Sequence, residues 1–78
     1  MKDLVEYLAK RLVTNPAAVE VKATDTDTTT ILELRVAPDD LGRVIGKQGR
    51  TAKSIRTILN AVGSRTNKKV ILEILEDQ

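Results

Sequence analysis

Leu41-Gly-Arg-Val-Ile-Gly-Lys-Gln-Gly-Arg-Thr-Ala-Lys-Ser-Ile-Arg-Thr-Ile58 decides how this chain is read. At its centre lies a four-residue loop, Gly46-Lys47-Gln48-Gly49, with apolar residues at helical spacing on both sides. Five bases surround the loop (Arg43, Lys47, Arg50, Lys53 and Arg56), and no acid does. Upstream, Leu41, Val44 and Ile45 predict a short helix over residues 39–45, with Asp39 or Asp40 as its cap. Downstream, Ala52, Ile55, Ile58, Leu59 and Val62 share one face of a longer helix that begins after Gly49. Arg50, Lys53 and Arg56 fall on an adjacent face. A helix, a glycine-framed turn and a second helix thus bring backbone N–H groups and positive charge to one small region, which suits a chain of phosphates.

Outward from this stretch, the periodicity completes a fold. Leu4, Val5, Leu8, Leu12 and Val13 predict a helix over residues 1–14, stopped by Asn15-Pro16. Residues 18–24 alternate, with Val19, Val21 and Ala23 inward, and read as a half-buried strand. Thr29 to Ala37 is a second strand, with Leu32, Leu34 and Val36 on one face. The polar turn Asp25-Thr26-Asp27-Thr28 makes the two an antiparallel hairpin. Gly63-Ser64 is expected to weaken or end the long helix. Asn67-Lys68-Lys69 then leads into a third strand, Val70 to Leu75, with Val70, Leu72 and Ile74 inward. The order is α-β-β-α-α-β. A two-helix crossover favours parallel pairing, so strand two is central, antiparallel to strand one and parallel to strand three. The predicted class is α+β, a three-stranded mixed sheet with three helices on one face.

Seventy-eight residues predict one small domain, 1–78, with a single core. Tyr7 is the one aromatic residue, so that core is aliphatic. Without cysteine or histidine there are no disulfides, no cysteine-based metal site and no histidine acid/base. Asp39 and Asp40 read as helix caps with no second group converging on them in sequence. No enzyme, metal or cofactor is therefore expected. The first turns carry acids and no apolar signal core, and no apolar run approaches membrane-spanning length; a cytoplasmic address and no membrane contact are expected. The net charge of +2 conceals an asymmetry. Residues 1–40 hold five bases and eight acids, whereas residues 41–72 hold eight bases and no acid. A charge run is ordinarily a solvated face. Here it coincides with the glycine loop, which favours a polyanionic partner.

Gly42-x-x-x-Gly46-Lys47-Gln48 is one residue shorter than a phosphate-binding P-loop, has Gln48 where the metal-binding Ser or Thr is required, and follows a helix instead of a strand. Nucleotide hydrolysis is excluded on those grounds. In purely structural terms, Gly46 ends one helix and Gly49 lets the next begin. The functional addition is approach: without Cβ atoms, a sugar–phosphate backbone can lie on the loop.

The run Val44-Ile45-Gly46-Lys47-Gln48-Gly49-Arg50 between two amphipathic helices resembles the signature of the KH (K-homology) RNA-binding domain. The order α-β-β-α-α-β matches the prokaryotic, type II arrangement. The run from Gly46 to Lys53, the length and the closing Val70-Ile71-Leu72-Glu73-Ile74 are similar to the small bacterial single-KH proteins of the KhpA family. The resemblance implies that about four single-stranded nucleotides are clamped between the loop and an aliphatic groove. It assigns Gly46, Lys47, Gln48 and Gly49 to the RNA-binding loop, and Arg43, Arg50 and Lys53 to flanking phosphates. Ile45, Ala52, Ile55, Leu34 and Val36 would line the base groove. Ala52 stands where many KH domains carry a large aliphatic residue. The near absence of aromatics fits a groove that does not work by stacking. The resemblance also implies self-association, pairing with a second KH-containing protein of the Jag/KhpB type, RNA chaperone activity and a link to cell elongation. Ile71 and Leu75 would face outward on the open side of the sheet and offer apolar surface for such contacts. Two other readings compete with single-stranded RNA binding. One is a helix-turn-helix over residues 39–62, reading duplex DNA with Arg50, Lys53 and Arg56. The other is an assembly adaptor with a vestigial KH surface.

Overall fold

Leu32 and Leu34, both at 0% exposure, mark the centre of the fold. They lie on β2 (Thr29–Arg35), the middle strand of the sheet. In the computed structural model, which describes residues 1–75, β1 (Glu20–Asp25) runs antiparallel to β2, and β3 (Lys69–Leu75) runs parallel to it. The last three residues of the expected 1–78 domain lie outside the described residues. Three helices, α1 (Lys2–Leu12), α2 (Leu41–Ile45) and α3 (Arg50–Arg65), form the second layer. The α-β-β-α-α-β order and the mixed sheet agree with the periodicity. Val5 and Ala9 of α1, Val44 of α2 and Ile55 and Leu59 of α3 close over Val21, Leu32, Leu34, Val70 and Leu72. Shape-matched aliphatic side chains thus remove the sheet's apolar face from water, the main favourable term in folding. Among the described residues no helix is long and apolar enough to cross a membrane.

Several expected faces are corrected. Ala23 is exposed, although Val21, two residues before it on the same edge strand, is buried. On α1, Ala9 takes the buried position, and Leu12 at the helix end is exposed. On α3 the buried stripe is Ala52, Ile55, Leu59 and Gly63, while Ile58 and Val62 are exposed. Gly63 does not stop α3, which runs on to Arg65. It is buried against β3, where an added Cβ would sit 2.6 Å from Val70 Cγ2.

Asp40 also departs from expectation. It precedes α2 but makes no side-chain capping bond to it. Its carboxylate, 1% exposed, turns instead to the chain that follows α1. The Thr14 N–H donates to Oδ1 at 3.0 Å, the Thr14 hydroxyl to the same oxygen at 2.8 Å, and the Asn15 N–H to Oδ2 at 3.0 Å. These bonds tie the end of α1 to the start of α2. The Thr14 N–H bond, ahead of the other donors and against the effect of burial, holds the Asp40 carboxyl below its ordinary range. Thr30 and Lys68 act likewise on Asp25, and Lys10 on Glu6.

A carboxyl whose pKa is lowered on folding contributes stability above its unfolded value and loses it as pH falls through the folded one. The melting temperature should therefore hold from neutrality to about pH 5 and fall below about pH 4. Asp40→Asn should melt lower at neutral pH and show a shallower acid limb, as followed by thermal circular dichroism.

Candidate nucleic-acid interface

α2 is only five residues long. Val44 anchors it in the core, and Ile45 is half-buried at its end. The chain then leaves the helix through Gly46, whose φ is +78° and whose N–H donates to the Gly42 carbonyl at 2.8 Å. Lys47, Gln48 and Gly49 form one tight turn, closed by the Gly49 N–H donating to the Gly46 carbonyl at 3.1 Å. Gln48 (φ +58°) and Gly49 (φ +74°) are both left-handed. Three of the four loop residues thus occupy a region that L side chains resist.

The two loop glycines serve different ends. A Cβ on Gly46 would lie 2.2 Å from Thr51 Oγ1 and 2.8 Å from the Thr51 backbone nitrogen. Gly46 is therefore closed by its own chain, and its requirement is structural. A Cβ on Gly49 would meet nothing within 4 Å. The loop is open to an approaching molecule at Gly49.

Charge converges on that opening. Lys47, Gln48, Arg50 and Lys53 are exposed. Arg50 Nη2 donates to Gln48 Oε1 at 3.4 Å, which lays the guanidinium beside the turn. Among the described residues Lys47, Arg50 and Lys53 form no salt bridge. No side chain caps α3, and the Arg50 N–H is taken by the Lys47 carbonyl in closing the turn. Ser54 and Thr57 donate back to the carbonyls of Arg50 and Lys53 and are occupied within the helix. Arg56 points elsewhere, its Nη2 donating to the Leu72 carbonyl of β3 at 3.5 Å. Arg43 lies with Nε 3.5 Å from Asp40 Oδ1, a partnership the sequence reading missed. The i, i+3 spacing of Asp40 and Arg43 was its one available signal.

The apolar groove residues are less favourably placed. Leu34 and Val36, expected to line the base groove, are sealed in the core. Ile55 belongs to the same core, and Ala52 is buried at the start of α3. Ile45, beside the loop, is the one partly exposed member of the expected five. The open face of the sheet carries a separate shallow groove of about 500 Å³, lined by Glu20, Lys22, Glu33, Arg35 and Leu75. Ile71 sits beside Ile31 in the strand register and, like Leu75, is half-buried.

An α-β-β-α-α-β chain with a Gly-x-x-Gly turn between its second and third helices has the construction of a type II KH domain. More narrowly, a family model described as KhpA/KhpB, KH domain, matches residues 2–74, and the chain belongs to that family. It is 53% identical over 76 residues to the RNA-binding protein KhpA of Aquifex aeolicus, covering 97% of this chain and 96% of the relative. The RNA-binding protein KhpA of Clostridium perfringens is 52% identical over 75 residues, covering 96% of this chain and all of the relative. That of Chlamydia caviae is 51% identical across the whole of both chains.

The glycine geometry yields a contrast. Gly46→Ala combines strain with a clash and should destabilise the fold by about 2–3 kcal/mol. Gly49→Ala meets only the left-handed penalty and should cost about 1 kcal/mol. Urea unfolding of both variants measures the difference.

Proposed function

We propose that residues 1–78 act as one KH domain that binds single-stranded RNA, with Gly46, Lys47, Gln48 and Gly49 as the contact loop. Arg43, Arg50 and Lys53 hold the flanking phosphates, and Ile45 meets bases. The observation that carries this reading is the open surface at Gly49, beside the start of α3 and the charges of Lys47, Arg50 and Lys53, which form no salt bridge among the described residues. The printed names of the relatives, RNA-binding protein KhpA, support it. With little exposed apolar surface beside the loop, backbone contacts dominate and sequence preference is modest. Such a binder suits an RNA chaperone or post-transcriptional regulator of the cytoplasm, acting by association and not by catalysis. A helix-turn-helix reading is disfavoured because Arg56, one of its three readers, is directed to a strand carbonyl.

Binding should weaken with salt. Neutralising about three phosphates gives a log–log slope of roughly −2 for a single strand. Lys47→Asp combined with Gln48→Asp should abolish RNA binding in fluorescence anisotropy while the melting temperature stays unchanged. Retained affinity in a folded double variant would sink the loop mechanism.

The exposed side chains of Ile58 and Val62 line a shallow apolar groove with Ala61 and Arg65. Surface of this kind supports self-association, or pairing with a second KH-containing protein of the Jag/KhpB type. Ile58→Asp should lower the mass measured by sedimentation equilibrium to that of a monomer without lowering stability. An unchanged mass would dismiss this face as the interface.

A further inference from the structure

We infer that Asp40 is a positioning residue for RNA binding and acts through Arg43. The inference rests on the RNA-binding reading above and adds a residue to it. Asp40 is buried, and its place is set by three donors that owe nothing to Arg43: two from Thr14 and one from Asn15. It is a fixed post one helical turn before the arginine. Arg43 Nε lies 3.5 Å from its Oδ1, yet the arginine side chain is 58% exposed. The carboxylate thus draws the inner nitrogen of the guanidinium to its side by charge, and the two outer nitrogens form no salt bridge among the described residues. Among the described residues Arg43 has no other salt bridge.

This is what a phosphate contact on a short helix requires. A free arginine loses much rotamer freedom when it grips an anion, and a preset orientation removes part of that cost. The planar fork suits the task, since one edge can be held while the other presents paired donors. Lysine, a single ammonium, cannot serve both sides at once. Competition from the carboxylate is limited because Oδ1 already accepts two hydrogen bonds from Thr14. Asp40 thereby connects the end of α1 to the flank of the glycine loop.

A double-variant cycle tests this on the full chain. The readout is anisotropy of a labelled single-stranded RNA of mixed sequence, at constant salt and below the melting temperature of every variant. Arg43→Ala should weaken binding roughly tenfold and reduce the magnitude of the salt slope by about 0.7. Arg43→Lys, which keeps the charge and leaves the exposed site folded, should weaken binding nearly as much. Asp40→Asn should weaken binding in the wild-type background and have no further effect in Arg43→Ala. Arg43→Lys binding like wild type would overturn the inference, as would an Asp40→Asn loss of equal size in both backgrounds. Tighter binding by Asp40→Asn would make the carboxylate a competitor of phosphate and overturn it too. The loop double variant separates the two levels. If it loses RNA while the cycle shows no coupling, the positioning role alone fails; if it keeps RNA, the RNA reading itself fails.

Discussion

The chain can turn from α2 into α3 only because no side chain stands between Gly46 and Thr51. That close approach, with a left-handed Gln48 and Gly49 beyond it, packs the turn into three residues. The result divides the polypeptide by chemistry. Val44 on one side of the turn and Ile55 on the other enter the core, while Lys47, Arg50 and Lys53 remain in water. A looser connection would let α3 drift from α2 and scatter the charges. The backbone constraint therefore comes first, and the electrostatics follow from it.

The two glycines of the loop separate folding from function. Gly46 has an intramolecular reason to lack a side chain, and Gly49 has only its left-handed φ. Open space over Gly49, next to the exposed charges of Lys47, Arg50 and Lys53, is what gives the KH assignment a physical basis in this chain. The wider groove is narrower in apolar surface than the resemblance implies, since Leu34, Val36, Ala52 and Ile55 are all covered. Phosphate contacts accordingly carry more of the proposed binding than base contacts do.

Asp40 shows how a small domain supports a short functional helix. Five residues of α2 cannot hold their own position, because an isolated helix of that length is unstable in water. Val44 secures it from below through burial, and Asp40 secures its entrance through three hydrogen bonds from the segment after α1. The same carboxylate reaches Arg43. Packing, polar satisfaction and surface charge meet at this one residue.

The sequence by itself determined the element order, the central strand and the glycine loop. Each is a local signal: alternation along β2, three- and four-residue spacing along α1 and α3, and glycines at both ends of a tight turn. The sequence also determined that the charge around the loop is of one sign. Only the tertiary structure decided which apolar residues a partner could touch. Periodicity says that Leu34, Ile55 and Ile58 lie on particular faces, but not what covers those faces. Packing then buried the first two and left the third exposed. Gly63 reads as a helix breaker until β3 is laid against it, when it becomes the place where Val70 fits. Asp40 reads as a cap because its true partners, Thr14 and Asn15, lie 26 and 25 residues away. Contacts across such separations are set by the folded chain as a whole, and no local pattern announces them.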